Sequence, residues 1–516
     1  MRSRSPDEFR LGVPSYGGGP GAGDEPVEAR EQLHRARRFT AEGHPAAGGA
    51  WERAATALRR AGGTITPGDH ADALDSTALD CRGRARAAAG PLFARAADLH
   101  ERAGQHGKAL VSRMRAVLAG EDAGGTARFQ LGELCERAAV LYRTGRATAG
   151  QATTVLLLHA RARADRLDTL PDPAAGAAGL REELGRLITS AAPHRADPAV
   201  LCPLADARAL LGRISAPDDP ARALVHLRAA VAGHRAAGRP WGAAEHELVL
   251  AGLLRATGAH EEAAALLRSA LRAALPSDGS AASLRRGDRA RLCLALARAV
   301  AGPHAAGRGR GGWRVGTEEG SAGSRGTGRG TDGRRRVEAE EVALLVEAVR
   351  LTGGAAVDPC LGALARLRLG SAYAELGRCR EAVGLFEEAL RGFAEDGDEA
   401  GLVRAGAWLA HSAQCLGDAG RAGREYTRAA ARAGRWEDAR HAEALGRVAA
   451  GARAAAGSPE RTDRAGAGCA GPRSELRGLP EPYGQPGRYQ VNVYGDVGGT
   501  GRNTVAVPRT RVQGCV

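Results

Sequence analysis

Two short motifs carry residue types that could bind a metal ion for hydrolysis. His246-Glu247 and His260-Glu261 begin as a zinc-protease helix does, in which two histidines one turn apart hold the ion and the glutamate acts as the base. Leu250 and Ala264 stand where the second histidine is required, so neither helix face holds an ion by itself. We therefore expect no metal site and no cofactor, and we predict that both histidines face solvent.

A third motif has only the letters of a nucleotide-binding loop. Gly307-x-Gly309-x-x-Gly312 matches the dinucleotide fingerprint, but that loop follows a buried strand and opens a helix, whereas Gly and Arg flank this one on both sides. The nine cysteines are far apart and include no C-x-x-C pair, which argues against a zinc cluster or a disulfide framework. These observations together predict a protein that is not an enzyme.

The composition favours closely packed helices. Of the 516 residues, 43% are apolar but only 3% are aromatic, so a core must be built mainly from alanine and leucine. Alanine favours helix, whereas strands favour β-branched and aromatic side chains. We therefore predict an all-α protein. No apolar run approaches the roughly 20 residues of a membrane span, and residues 1–23 lack the apolar core of a signal peptide, which predicts a cytoplasmic protein without membrane contact.

The net charge of +14 is a weak indication of nucleic-acid binding. Lys108 is the only lysine among 73 basic residues, which is the bias that a GC-rich genome produces. More than half of the excess charge lies in two low-complexity segments, residues 302–336 and 457–516. The charge is therefore a property of those segments more than of a folded groove.

Changes in composition divide the chain into segments. We predict a disordered N-terminal tail (1–24), irregular helical hairpins (25–200), regular helical repeats (201–301), a disordered Arg/Gly-rich insert (302–336), further repeats with a capping helix (337–456), and a disordered tail (457–516) with a short β-hairpin at 488–507.

A repeat of 40 residues underlies the helical segments. In its best example, two helices joined by a turn at Gly377 each present one apolar face. These faces comprise Leu369, Gly370 and Tyr373 in the first helix and Ala382, Phe386 and Ala389 in the second. The pattern resembles the tetratricopeptide repeat (TPR) family, and the resemblance implies a solenoid of helical hairpins.

The same offsets recur in the neighbouring segments. The equivalent packing positions are Leu210, Ala223, Leu227, Leu250, Ala263, Leu267, Leu409, Ala422, Tyr426 and Ala429. From the alanine of one second helix to the leucine of the next first helix the interval is always 27 residues, as from Ala382 to Leu409. In one copy, residues 302–336 separate the two helices of the hairpin. The 40-residue period resembles the arrays of actinobacterial regulators and signalling proteins.

The resemblance to TPR arrays implies a binding surface along the concave side, which the first helix of each hairpin lines. Positions are counted from the first-helix leucine of each repeat, such as Leu210, Leu250, Leu369 or Leu409. This count places the following residues on the concave side: Arg208, Glu245, Arg255, Arg285, Leu367, Arg404, Ala407, His411 and Gln414. This mixed-charge, arginine-rich groove suits an acidic or C-terminal peptide segment.

Three functions fit these observations. The first is a non-enzymatic scaffold or regulatory adaptor that binds a protein or peptide partner. The second is a sensor that binds a peptide or metabolite for a signalling system. The third, a weaker alternative, is an RNA-associated protein whose arginines in the insert, such as Arg308 and Arg310 near Trp313, contact phosphates and bases.

Overall fold

The computed structural model covers most of the chain. It describes residues 27–44, 46–81, 86–120, 125–273, 284–310, 329–353, 359–435 and 439–456. The predicted tails 1–24 and 457–516, together with the hairpin predicted at 488–507, lie outside these ranges.

The described residues form nineteen α-helices and contain no β-strand, so the all-α prediction is confirmed. The helices of the N-terminal half are α1 (Val27–Glu42), α2 (Ala47–Arg60), α3 (Pro67–Cys81), α4 (Arg86–Arg102), α5 (His106–Ala119), α6 (Gly125–Arg143), α7 (Ala149–Ala164) and α8 (Pro173–Ala191). The helices of the C-terminal half are α9 (Pro198–Ser215), α10 (Pro220–Ala236), α11 (Pro240–Ala256), α12 (His260–Ala273), α13 (Arg286–Arg310), α14 (Arg329–Thr352), α15 (Pro359–Glu375), α16 (Cys379–Asp396), α17 (Glu399–Cys415), α18 (Ala419–Arg435) and α19 (Ala439–Ala456).

Short turns with defined chemistry join these helices. Gly377, after α15, adopts a left-handed conformation with a φ of 79°, which glycine adopts without a steric penalty. At the start of α17, the Asp398 side chain accepts a hydrogen bond of 2.9 Å from the backbone N–H of Gly401. Gly377 thus fixes where α15 ends, and Asp398 fixes where α17 begins.

The helices form two layers. Each helix packs against the next one along the chain, and from α5 to α17 each odd-numbered helix also contacts the next odd-numbered helix. The even-numbered helices lie farther from one another. Because helices on the inside of a curved array are closer together than those on the outside, the odd-numbered helices α5 to α17 form the concave layer of a TPR-like solenoid. We call them the inner layer.

The packing of α15 against α16 illustrates how a hairpin closes. Phe386 is fully buried, and a Cβ added at Gly370 would lie only 2.7 Å from Cε1 of its ring. Glycine therefore allows the ring to lie directly against the α15 backbone. Phe386 also stacks on Trp408 of α17, with ring centroids 6.3 Å apart, so one side chain joins three helices.

The helices on either side of the Arg/Gly-rich insert extend further into it than the sequence predicts. We predicted disorder over 302–336, but α13 continues to Arg310 and α14 begins at Arg329. Helical patterning from the adjoining repeat therefore extends into the Arg/Gly-rich sequence at both ends. Residues 311–328 lie outside the described ranges.

One contact joins parts of the chain that are distant in sequence. The Arg239 guanidinium donates a hydrogen bond of 2.8 Å to the carbonyl oxygen of Ala41, and the His44 and Trp241 rings meet edge to face at 4.6 Å. The turn between α1 and α2 thus touches the start of α11. The array curves far enough to bring its first hairpin against its middle.

The helices and the cysteines of the described residues bear on the sequence predictions about membranes and disulfides. None of the helices in this part of the chain has both the length and the apolar character that crossing a bilayer requires. The six cysteines at positions 135, 202, 293, 360, 379 and 415 are free thiols.

We expect Phe386→Ala to lower the free energy of unfolding by about 3–5 kcal/mol, because it leaves a cavity beside Gly370 and Trp408. Glu387→Ala is the matched control. Its carboxylate is 45% exposed and pairs with Arg421 on the surface, so its loss changes stability by less than about 1 kcal/mol. Urea unfolding of the two variants measures the contrast, and equally mild effects would contradict the assigned helix faces.

Candidate functional site

The nine residues predicted to line the groove fall into two groups. Five are exposed or half-buried and remain available to a partner, namely Arg208, Glu245, Arg255, Arg285 and Gln414. The other four are buried, namely Leu367, Arg404, Ala407 and His411.

The prediction that these four residues line an open groove is wrong. Leu367 and Ala407 are fully buried in an apolar core that extends from α15 to α19. His411 lies against Trp408, with ring centroids 5.7 Å apart. The rule that assigned them counts positions on an isolated hairpin, but here the close packing of α15 on α17 covers those positions.

The residues predicted to pack the repeats lie in the interior. All of them are buried except Tyr373, which is half-buried next to Arg378. The guanidinium of Arg378 lies 4.0 Å from the centroid of the Tyr373 ring, a cation–π contact at the surface end of the hairpin.

A cluster of ionisable side chains lies between α7, α9, α10 and α11. Asp206 accepts hydrogen bonds at Oδ1 from two rings, from Nε2 of His246 at 2.8 Å and from Nε2 of His234 at 2.9 Å. Its other oxygen, Oδ2, pairs with Nη2 of Arg161 at 3.0 Å. We call these four residues the Asp206 cluster.

Opposite charges and hydrogen bonds stabilise the ionised side chains of the Asp206 cluster. Burial raises the pKa of Asp206, but the positive charge of Arg161 and the hydrogen bonds from His234 and His246 hold it well below its usual range. Burial lowers the pKa of His234, but hydrogen bonds with Asp206 and Cys202 outweigh this effect and raise it to about 9. The cluster therefore holds a carboxylate anion between a guanidinium and a protonated imidazole at neutral pH.

The prediction that His246 faces solvent is corrected here. His246 is 3% exposed, and Glu247 beside it is equally buried. Burial raises the pKa of Glu247, while its pairing with Arg235 of the preceding helix opposes that shift. His260 of the second motif is half-buried.

The partners of His246 come from other helices, which is why a search along one helix missed them. One sequence signal could have revealed the pair: Asp206 and His246 are 40 residues apart, the length of one repeat. Equivalent positions in successive copies lie on the same face of neighbouring inner-layer helices, so their side chains meet. His234 has no such relation to either residue.

Further charged pairs continue along the inner layer. Nη2 of Arg213 on α9 lies 2.6 Å from Oε1 of Glu245 on α11. Burial opposes ionisation of Glu245, but Arg213, His246 and Arg161 lower its pKa to about 2; its side chain is 71% exposed, so solvent screens part of this attraction. On α13, Asp288 pairs with Arg291 at 3.2 Å.

The electrostatic interactions link these pairs into one surface. Burial raises the pKa of Asp288, with Arg291 and Arg285 opposing the shift and Glu245 adding to it. Because Glu245 is on α11 and Asp288 on α13, their interaction places them on adjoining parts of the inner layer. The charged surface therefore runs from α7 across α9 and α11 to α13.

No protein-family model matches the sequence, and a comparison with curated proteins finds no match. Among solved structures, the chain is similar to a Signal Transduction ATPase with Numerous Domains (STAND) protein with a tetratricopeptide repeat sensor from Pyrococcus horikoshii. The identity is 12% and the TM-score 0.49, over 78% of this chain and 55% of that one. This chain thus spans about half the length of the STAND protein.

Two further solved structures are similar at lower scores. The apo form of the quorum sensor NprR from B. thuringiensis has 10% identity and a TM-score of 0.36, over 74% of this chain and 97% of that one. A Rap protein complexed with Competence and Sporulation Factor has 12% identity and a TM-score of 0.31, over 83% and 98% of the two chains.

We expect Asp206→Ala to lower the free energy of unfolding by about 2–3 kcal/mol, because Arg161, His234 and His246 lose their shared acceptor. Asp218→Ala is the control, since Asp218 also pairs with an arginine, Arg181 at 2.8 Å, but is 61% exposed. Its loss should change stability by less than about 1 kcal/mol. Urea unfolding midpoints of both variants test this, and equal shifts would show that the cluster adds no more than a surface pair.

Proposed function

We propose that the protein is a non-enzymatic scaffold or regulatory adaptor that binds a protein or peptide partner along α7, α9, α11 and α13. The observation that carries the proposal is the charged surface that crosses these four neighbouring helices of the inner layer. A solenoid presents an extended concave surface on which several repeats contact one ligand together. Since helical backbones satisfy their own hydrogen bonds, recognition on such a surface depends on side chains.

The charges on this surface favour an acidic ligand. Each of the acids Asp206, Glu245 and Asp288 is paired with an arginine of the same layer. Arg208 on α9, Arg255 on α11 and Arg285 immediately before α13 are half-buried or exposed and add further positive charge to the same elements. Arginine binds carboxylates through a planar pair of donors, which suits acidic side chains or a C-terminal carboxylate of a peptide.

The chemistry of the surface supports binding more than catalysis. The two histidines of the Asp206 cluster are 4% and 3% exposed, so an imidazole there does not reach a bound substrate. A general acid or base needs hydrogen-bond contact with the proton that it transfers. We therefore propose a role in recognition, in a cytoplasmic setting that suits the free thiols.

Two other functions are carried forward as alternatives. A peptide or metabolite sensor of a signalling system would use the same inner surface, as the resemblance to actinobacterial repeat arrays implies. An RNA-associated role through the Arg/Gly-rich insert is less favoured, because the charged surface that carries the proposal lies on α7, α9, α11 and α13 and pairs its arginines with acids.

The test begins with a partner captured from the native host and identified by mass spectrometry. Binding of the purified partner is then measured by titration calorimetry. We expect the double variant Arg208→Glu/Arg285→Glu to weaken binding at least tenfold, since a charge-assisted hydrogen bond contributes about 1.5–3 kcal/mol and each 1.4 kcal/mol is a factor of ten.

Arg391→Glu is the matched control for this experiment. Arg391 is also exposed, but it lies on α16 in the outer layer. Its replacement should leave the dissociation constant within about twofold of the wild-type value. If Arg391→Glu weakens binding as much as the double variant does, or if neither has an effect, the partner does not bind along the proposed surface.

A further inference from the structure

Three donor atoms of the Asp206 cluster converge on one point although they come from three helices. Oδ1 of Asp206 (α9), a ring nitrogen of His234 (α10) and a ring nitrogen of His246 (α11) all lie within 4.8 Å of one another. Two imidazole nitrogens and a carboxylate oxygen are a common set of protein ligands for zinc. The two histidines are buried, whereas the side chain of Asp206 is 26% exposed. An ion can therefore enter from the concave side.

The spacing of the donors is close to what a tetrahedral ion requires. Zinc bonds of about 2.0–2.2 Å to nitrogen and oxygen place neighbouring ligand atoms roughly 3.3 Å apart. The two Asp206–histidine distances are 2.8 and 2.9 Å. Seating an ion therefore requires the donors to separate by about half an ångström, and the ion then takes the place of the protons that these hydrogen bonds share.

The surroundings of the donors fix their positions. Arg161 pairs with Oδ2 of Asp206, so the carboxylate is already oriented with Oδ1 towards the histidines. Metal-binding carboxylates in proteins are usually held in this way by a second residue. The residue at position 242 is glycine, and a Cβ there would lie 2.5 Å from Nδ1 of His234. The His234 ring thus packs directly on the first turn of α11.

The donor set of the Asp206 cluster suits zinc. Two imidazoles and a carboxylate match the ligands of zinc better than those of magnesium or calcium, which prefer oxygen atoms.

We propose that His234, His246 and Asp206 bind one zinc ion. Binding displaces the histidine protons directed at Asp206, so it releases protons to solvent. The ion joins α9, α10 and α11, which belong to two successive hairpins, and stabilises their contact.

The test uses the full chain, treated with a chelator, exchanged into metal-free reducing buffer and titrated with Zn²⁺ by calorimetry. We expect one ion per chain and a thermal midpoint that rises when zinc is added. His234→Gln and His246→Gln should each weaken zinc binding at least 100-fold, more than the 10–100-fold typical for loss of a supporting residue. His260→Gln, in the other His-Glu motif, is the control and should bind as the wild type does.

Co²⁺ in place of Zn²⁺ reports the geometry of the site directly, even where a variant is less stable. A tetrahedral site gives strong visible absorption, which His234→Gln and His246→Gln should each reduce. Wild-type protein that binds no zinc, or His234→Gln and His246→Gln variants that bind it as tightly as the wild type, would overturn the site.

Discussion

Each hairpin of this protein depends on its neighbours, because two helices with small apolar side chains cannot bury their faces alone. Alanine and glycine let the helices approach closely, and a few large side chains fill the remaining space. Phe386 shows the consequence: its ring lies against the backbone at Gly370 and on the indole of Trp408, so it belongs to two hairpins at once. Stability in such an array is shared between the hairpins and the interfaces that join them, and a defect at one interface affects both sides.

The same close approach concentrates charge on the inner layer. Neighbouring odd-numbered helices contact one another, so a residue on one helix lies within reach of its counterpart one repeat later. Asp206 and His246 meet in this way, and Arg213 and Glu245 connect the same two helices two turns further along α9. Charges held this close are partly desolvated, and each is stabilised only by its partners. The curvature of the solenoid therefore creates both the groove and the polar network beneath it.

The sequence predicted what depends on period and local chemistry. The 40-residue repeat indicated the hairpins, and residues such as Gly377 and Asp398 mark turns that local hydrogen bonding explains. Exposure on the inner layer was predicted less well, because it depends on how closely successive hairpins pack. Ala407 and His411 occupy the positions that the repeat rule assigns to the groove, yet neighbouring helices bury every residue of α17 from Ala400 to Ala413. His234 joins Asp206 through a contact between helices that no periodic pattern encodes.

The inner layer thus differs along its length. On α15 and α17 four of the five assigned positions are buried, two of them in an apolar core, and they serve to hold the C-terminal hairpins together, whereas Gln414 near the end of α17 is exposed. Between α7 and α13 the corresponding helices carry acids and arginines that remain partly exposed. An array built for stability alone would gain by replacing such partly buried ion pairs with apolar contacts. Their presence on one continuous stretch, beside a C-terminal part whose assigned positions are mostly buried, distinguishes the region that we propose for recognition from a mainly structural one within a single repeat architecture.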